Sequence, residues 1–320
     1  MWGTMEYRKL GKHGIQLSEL SFGSWITFGS ELDIEGAKDC MKFAFDNGMN
    51  FFDNAEVYAN GASEMLMGEA LKLFPREEIV ASTKIFWGGK SVNCNGLSWK
   101  HLVEGTKRSL KRLQLDYIDL LFCHRPDPNT PIEETVRAMN FLIQSGLIFY
   151  WGTSEWSRQQ IEEAHQVATL HHLIGPAMEQ PQYNLFHRYR VEHEYRPLYE
   201  HYGMGTAIWS PLDSGILTGK YNEGIPQGTR LHQHNWLRDH LSQFKIEKVK
   251  RLEKIATKMG VSTAQLAIAW CLKNPHVSTV ILGASQVSQI QHNLKALSVK
   301  SLLTDEIIAE INVLFGPETV

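Results

Sequence analysis

The 320-residue chain has little cysteine and no hydrophobic run long enough to cross a membrane. Its four cysteines, Cys40, Cys94, Cys123 and Cys271, are scattered and form no C-x-x-C pair. Scattered thiols favour a reduced intracellular protein over a disulfide-bonded secreted one. The first residues also lack the apolar core of a signal peptide. We therefore expect a soluble, cytoplasmic protein without membrane insertion.

The sequence also lacks a strong charge imbalance and the usual dinucleotide-binding glycine motif. Its formal net charge is -3, which gives no reason to expect a nucleic-acid partner. No G-x-G-x-x-G follows a predicted strand, so a Rossmann site is not supported. The histidine pairs His171–His172 and His232–His234 have no third ligand at convincing spacing, and we expect no metal site.

Apolar strand-like runs alternate with amphipathic helical stretches, as in a parallel sheet with crossover helices. Eight such units favour an α/β (β/α)₈ TIM barrel over an open doubly wound sheet. Two segments, Glu6–Leu10 and Ile15–Leu17, flank a glycine-containing turn and predict an N-terminal β-hairpin. No linker or repeat interrupts the pattern, so residues 1–320 are assigned to one barrel domain. The predicted strands start near Leu20, Phe51, Val80, Ile118, Phe149, Ala177, Thr206 and Thr279.

Local signals predict where some helices and loops lie. Ser262 and Gln265 have the spacing of a helix capping box. Pro131 is predicted at the first position of another helix. The polar stretch Lys220–Leu252 predicts a long loop at the C-terminal face of the barrel, where long loops are usually functional.

Four polar residues lie at or just beyond the C-terminal ends of predicted strands. Asp53, Lys84 and His124 each end an apolar run, and Tyr58 lies in the loop after Asp53. In a parallel barrel these strand ends converge on one mouth, which is where active sites lie. A lysine at the end of an apolar strand is costly to bury unpaired, and Asp53 is the natural partner. A salt bridge with a purely structural role is the alternative interpretation of this pair.

The motifs around these residues resemble those of the aldo-keto reductase superfamily. They are FFDNAEVY at residues 51–58, STK at 82–84 and HRPD at 124–127. Three longer strings resemble the branch that contains the β subunits of voltage-gated potassium channels. These are TKIFWGG at residues 83–89, YWGTS at 150–154 and LAIAWCL at 266–272. The similarity extends from about Met5 to the C-terminal helix.

The resemblance implies the reduction of an aldehyde or ketone to an alcohol by hydride transfer from NADPH. Tyr58 is the expected general acid, which delivers a proton to the carbonyl oxygen. The Lys84 ammonium, paired with Asp53, favours the phenolate and is expected to lower the pKa of the Tyr58 phenol. His124 is expected to donate a second hydrogen bond to the oxygen.

Two tryptophans near these motifs predict the character of the substrate pocket. Trp25 follows the first barrel strand and Trp87 follows Lys84. Aromatic walls would suit carbonyl substrates with apolar or aromatic bodies. Packing at the rim of the barrel is the alternative interpretation for both.

The resemblance further implies a cofactor site made of residues from several strand ends. Ser154 and Gln180 are expected to hold the nicotinamide carboxamide, and Trp209 is expected to stack on the ring. The residues expected to bind the cofactor are Ser24, Trp25, Asp53, Ser154, Gln180, Trp209, Ser210, Pro211, Leu212, Ser214, Lys220, Arg230, Gly283, Ser285, Gln289 and Asn293.

The expected phosphate end of this site predicts NADPH/NADP+ rather than NADH. Lys220, Arg230 and Ser285 are expected to surround the adenosine 2′-phosphate, beside backbone donors at a helix N-terminus. Two positions depart from the pattern of the channel-subunit branch. His292 stands where an acidic residue is frequent, and Glu155 stands where animal channel subunits have a basic one; Glu155 is not assigned to the cofactor.

Two classes of function stay open. The chain is either an NADPH-dependent carbonyl reductase or an NADP(H)-binding regulatory β subunit of a potassium channel. Position 124 discriminates between them, because animal channel subunits that resemble this chain have Asn there, whereas this chain has His as active reductases do. Because the channel subunits form four-fold rings, the resemblance also implies a homotetramer. A monomer and a larger ring are the competing assemblies.

Overall fold

A short antiparallel hairpin precedes the barrel and closes one of its ends. The computed structural model describes residues 3–29 and 31–316, and the hairpin consists of β1 (Tyr7–Lys9) and β2 (Gln16–Ser18). Leu10 and Leu17 are buried in the same apolar cluster as side chains from inside the barrel. The Lys12 amide donates to the Gly203 carbonyl at 2.8 Å, just before a barrel strand begins. The predicted hairpin is therefore confirmed, and it seals the N-terminal end of the barrel.

Eight parallel strands close into a barrel, as the alternating pattern predicts. They are β3 (Leu20–Gly23), β4 (Phe51–Asp53), β5 (Val80–Ile85), β6 (Ile118–Cys123), β7 (Ile148–Thr153), β8 (Met178–Glu179), β9 (Gly205–Ile208) and β10 (Val277–Leu282). Each strand pairs with the next along the chain, and β10 pairs with β3 to complete the closure. Every strand begins within two residues of its predicted start.

Helices pack around the outside of the barrel with apolar side chains facing it, except for the four-residue helix Arg230–Gln233, whose first residue lines the cleft. They are α1 (Ile34–Asp46), α2 (Ala62–Leu71), α3 (Trp99–Leu113), α4 (Ile132–Gln144), α5 (Arg158–Leu170), α6 (Arg196–Tyr202), α7 (Arg230–Gln233), α8 (Gln243–Lys258), α9 (Thr263–Lys273), α10 (Val287–Leu294), α11 (Ala296–Lys300) and α12 (Asp305–Phe315). Within the described residues, no helix is both long and apolar enough to span a bilayer.

The local predictions have mixed outcomes. The capping box is confirmed, because the Gln265 amide donates to Ser262 Oγ at 3.2 Å and the Ser262 amide donates to Gln265 Oε1 at 3.2 Å. The prediction that Pro131 is the first residue of a helix is wrong by one position. Pro131 has an extended ψ of 136° and is the N-cap, so α4 begins after it. The prediction of one long loop over Lys220–Leu252 is wrong in part, because α7 spans Arg230–Gln233 and α8 begins at Gln243.

Candidate active site

A cleft of about 1180 Å³ opens at the C-terminal ends of the barrel strands. This is slightly larger than the roughly 300–1,000 Å³ of typical ligand pockets. It brings together almost all of the predicted site residues. Those that line it are Trp25, Asp53, Tyr58, Trp87, His124, Ser154, Gln180, Trp209, Ser210, Pro211, Leu212, Ser214, Lys220, Arg230, Gly283, Ser285, Gln289 and Asn293.

Two predicted residues lie behind the cleft wall. Ser24 is fully buried, and its Oγ donates to the backbone carbonyl of Asp53 at 3.1 Å. Lys84 is also fully buried, directly under the floor of the cleft. Lys84 can therefore act on a ligand in the cleft only through the groups that its ammonium contacts.

The Lys84 ammonium joins three acceptors at the cleft floor. Its Nζ is 2.5 Å from Asp53 Oδ2, 2.7 Å from the Asn54 carbonyl and 3.3 Å from the Tyr58 hydroxyl. The other carboxylate oxygen, Asp53 Oδ1, accepts from Ser82 Oγ at 2.7 Å and from Gln180 Nε2 at 3.1 Å. Because both oxygens are occupied, the carboxylate is held in one orientation and the ammonium is held against the phenol.

The backbone around Tyr58 explains how a loop residue reaches this position. Parallel pairing continues past β4, because the Asn54 amide donates to the Ser82 carbonyl and the Glu56 amide donates to the Lys84 carbonyl, both at 3.1 Å. Directly after Tyr58, Ala59 and Asn60 adopt left-handed φ values of 47° and 54°. Such conformations are costly for residues other than glycine. They turn the chain sharply and leave the phenol facing the cleft.

The net pKa of the Tyr58 phenol differs from the prediction. Burial raises this pKa and outweighs the Lys84 ammonium, which lowers it, while the Asp53 carboxylate adds to the rise. The prediction is right that the ammonium lowers the pKa but wrong about the net shift, which is upward because removing a phenolate from water is costly. For Lys84, burial opposes the charge, yet the Asp53 carboxylate and Tyr58 raise its pKa overall. The pair is thus a neutral phenol beside a charged ammonium.

His124 lies across the cleft floor from Tyr58. Its ring is 5.9 Å from the Tyr58 ring and 5.1 Å from the Trp87 ring, both edge-on. Burial, Lys84 and Arg125 hold the pKa of His124 well below its ordinary value, so the imidazole is neutral. Its Nδ1 is buried and has no hydrogen-bond partner among the described residues. Nε2 is the ring nitrogen left to face a substrate oxygen.

The far end of the cleft carries positive charge. Lys220 and Arg230 both line it, and neither forms an ion pair within the part of the chain that the structure describes. Burial and the Arg230 charge lower the pKa of Lys220, and burial lowers that of Arg230. The Ser285 amide is not a free donor, because it donates to Gln289 Oε1 at 2.9 Å. Side-chain cations therefore dominate this end.

Glu155 connects the ends of three strands beside Ser154. Its Oε1 accepts from the Gln182 amide at 2.6 Å and from Trp209 Nε1 at 3.0 Å. Its Oε2 forms an ion pair with Arg190 at 2.6 Å. Glu155 has a left-handed φ of 60°, and its carboxylate meets the Nε1 edge of the Trp209 indole. Sequence reasoning left this residue without a role, since its partners come from distant parts of the chain.

Sequence reasoning also missed several residues that line the cleft. The most prominent is Arg125, which follows His124 in the HRPD motif and was quoted without a role. His292, at a position that departs from the family pattern, lines the cleft beside Asn293. Among residues 3–29 and 31–316, no cluster of three or more His, Cys, Asp or Glu side chains could hold a metal ion.

The fold and this constellation define the class of protein. A profile of the Aldo/keto reductase family matches residues 19–314, and the chain belongs to that family. Members of this family are oxidoreductases that generally use NAD(P)H.

The chain is similar to curated proteins named as potassium channel subunits. It is 55% identical over 313 residues to a probable voltage-gated potassium channel subunit beta of Arabidopsis thaliana, with 96% of this chain and 95% of the relative covered. A probable subunit of the same name from Oryza sativa subsp. japonica is 53% identical over 313 residues, with the same shares covered. A putative one from Schizosaccharomyces pombe is 49% identical over 319 residues, with 97% and 93% covered.

Proposed function

We propose that this protein reduces aldehydes or ketones to alcohols with NADPH, and that Tyr58 is the general acid. The observation that carries the proposal is the Lys84 ammonium, which lies 2.5 Å from Asp53 and 3.3 Å from the Tyr58 hydroxyl under the cleft. If the ion pair between Lys84 and Asp53 were purely structural, it would not require a phenol beside it that faces a cavity of this size. A proton donor in that place suits a reaction in which charge develops on an oxygen.

The described residues account for the movement of the proton. NADPH would supply the hydride that reaches the carbonyl carbon. Because burial raises the pKa of Tyr58, the phenol keeps its proton at neutral pH and can give it to the carbonyl oxygen. The phenolate left behind is stabilised by the neighbouring Lys84 ammonium. Neutral His124 donates from Nε2 to the same oxygen and fixes its position.

The residues at the other end fit a phosphorylated dinucleotide. Lys220 is exposed and Arg230 is half-buried, and both line the same cleft. Neither forms a direct ion pair among the described residues, although the Glu31 carboxylate acts on both charges. Charge-assisted hydrogen bonds to a phosphate would satisfy both. Trp209, held through its Nε1 by Glu155, offers an aromatic face near Ser154 and Gln180 for the nicotinamide. These features favour NADPH over NADH.

The names of the relatives support a second candidate function, a regulatory β subunit of a potassium channel. We propose a homotetramer for that role, because a four-fold ring would match a tetrameric channel. The two functions are compatible on one barrel, because the cleft occupies only the C-terminal face. The histidine at position 124 favours turnover, since it supplies a neutral donor at the cleft floor.

The proposal is tested by a panel of aldehydes, ketones and quinones at saturating NADPH, with loss of nicotinamide absorbance as the readout. We expect turnover with at least one class of carbonyl. Tight NADPH binding without turnover on any member would favour the regulatory function. Failure to bind NADPH would contradict both functions as stated.

A further inference from the structure

Arg125 is a cation at the reacting end of the cleft that the proposed proton transfer does not use. It lines the cleft together with Tyr58, Trp87 and His124. Its Nη1 donates to the His124 carbonyl at 2.6 Å and to Ser154 Oγ at 3.3 Å. Its guanidinium lies 5.7 Å from the centre of the Trp87 ring. Nε and Nη2 have no hydrogen bond within the described chain.

The charge of Arg125 is not compensated by its surroundings. Among the described residues it forms no ion pair, and the carboxylates that line the cleft are Glu31, Asp53 and Glu253. Asp53 is neutralised by Lys84 at 2.5 Å. Glu31 interacts with Lys220 and Arg230 at the far end, and Glu253 accepts from Asn222 at 2.9 Å. Since His124 is neutral, the carbonyl end of the cleft has a net positive charge.

Desolvated guanidinium groups with free donors are well suited to oxyanions. The planar fork of arginine donates two parallel hydrogen bonds to a carboxylate or phosphate, which a lysine cannot do. The interaction is stronger in a cleft than in water, because the effective dielectric constant is lower. The Nη1 bonds to His124 and Ser154 hold the fork in place, so little side-chain freedom is lost on binding.

We propose that Arg125 binds an oxyanion of the substrate, so that the enzyme prefers carbonyl compounds that carry a carboxylate or phosphate near the aldehyde or ketone. This inference rests on the proposed function, because it assigns the substrate class of the same cleft. Trp87, whose ring lies 5.7 Å from the Arg125 guanidinium and 5.1 Å from the His124 ring, would pack against the body of such a substrate.

The test compares two aldehydes of the same shape and different charge. 4-Carboxybenzaldehyde has an anionic carboxylate, and 4-nitrobenzaldehyde has a neutral nitro group of similar planar form. The readout is kcat/KM for 4-carboxybenzaldehyde divided by kcat/KM for 4-nitrobenzaldehyde, measured in wild type, Arg125→Gln and Arg125→Lys. We expect the ratio to fall by about 10–100-fold in Arg125→Gln, the loss of a charge-assisted pair. The ratio for Arg125→Lys should lie between those of wild type and Arg125→Gln, since lysine keeps the charge but lacks the planar fork of donors.

A matched control and a binding measurement separate the possible failures. Arg137→Gln removes an exposed arginine of α4 and should leave the ratio at the wild-type value. Calorimetry of the two product alcohols with the NADPH-loaded protein tests anion recognition without turnover. An equal loss for both aldehydes in Arg125→Gln, or no preference of the wild type for the anionic alcohol, would overturn the inference. An Arg125-dependent preference in binding without hydride transfer would uphold it and contradict the proposed reductase instead.

Discussion

Lys84 shows how single residues define this site, because it is a fully buried cation whose partners come from the end of β4 and the loop after it. Without Asp53 its burial would cost several kcal/mol. With Asp53 it remains charged and lies against the one phenol at the cleft floor. The arrangement holds a proton donor in place and stabilises the anion that forms once the proton has left.

Arg230→Ala should weaken NADPH binding far more than NADH binding. The cofactors differ by the 2′-phosphate, and a charge-assisted bond to a phosphate contributes roughly 1.5–3 kcal/mol, or about 10–150-fold in Kd. Quenching of tryptophan fluorescence measures both affinities. Arg137→Ala, which removes an exposed cation elsewhere, is the control. Equal losses for both cofactors would mean that Arg230 does not distinguish them.

Glu155→Ala should release the indole of Trp209, whose Nε1 it holds at 3.0 Å. We expect NADPH affinity to fall by about 5–20-fold, the loss of one hydrogen bond to a charged acceptor. Glu155→Gln keeps a neutral acceptor and should lose less. The same substitutions in a Trp209→Phe background give the double-mutant cycle. If Glu155→Ala costs as much without the indole N–H as with it, Glu155 does not act through Trp209.

Residue-level prediction from sequence works where a signal is local. Asp53, Lys84 and His124 each end an apolar run, so their convergence follows from the barrel itself. Arg125 and Glu155 gave no such signal. Their roles depend on Ser154, Gln182 and Trp209, which reach them only once β6, β7, β8 and β9 have paired side by side.

At the scale of elements, β8 contains a buried carboxyl group that is unusual for a barrel strand. Burial raises the pKa of Glu179 to about 8, against a Thr153 hydrogen bond that lowers it. Between the unfolded value of 4.5 and about 8, the folded state binds more protons than the unfolded state. Stability must therefore fall as pH rises through this window.

Glu179→Gln should remove that pH dependence, because the amide does not titrate. Relative to wild type, the free energy of unfolding of the variant should increase by about 1.4 kcal/mol per pH unit between pH 5 and 7.5. Urea unfolding at several pH values measures it. Glu77→Gln alters an exposed carboxylate and is the control. A variant whose stability runs parallel to wild type across the window would show that Glu179 is ionised in the fold.

The elements themselves differ in how well sequence predicts them. Most strands are recognised because they are largely apolar runs buried on both faces, as parallel strands are, although β7 exposes Phe149. The sequence predicts a loop where α8 lies, because the apolar Phe244 of its first turn is exposed and its buried residues begin only at Val249. Ser242 caps the helix by accepting from the Lys245 amide at 3.3 Å, and a serine before an amphipathic stretch is the local signal for this helix start.

At the scale of the whole molecule, the closed barrel explains why residues more than a hundred positions apart share one site. Gln180 reaches Asp53 at 3.1 Å across 127 residues of sequence. The hairpin seals the opposite end, so the C-terminal mouth is where the barrel interior opens to ligands. Stability and catalysis are thus separated between the two faces, as in other barrels of this type.

We expect the protein to form a homotetramer, following its similarity to proteins named as potassium channel β subunits. A four-fold ring requires two different complementary patches on each subunit. Light scattering coupled to size exclusion, with and without NADPH, should give roughly four times the chain mass of 36.5 kDa. A monomer at micromolar concentration would contradict the assembly and weigh heavily against channel docking.

The most direct test of the central claim is hydride transfer in Tyr58→Phe under single-turnover conditions. The variant keeps the ring and removes the proton that Lys84 and Asp53 position. A positioned general acid contributes roughly 10²–10⁴-fold, so absorbance at the nicotinamide band should decay slower by that factor, with NADPH affinity nearly intact. Tyr189→Phe, which alters a partly exposed tyrosine, should behave as wild type. Hydride transfer at the wild-type rate in Tyr58→Phe would contradict the account.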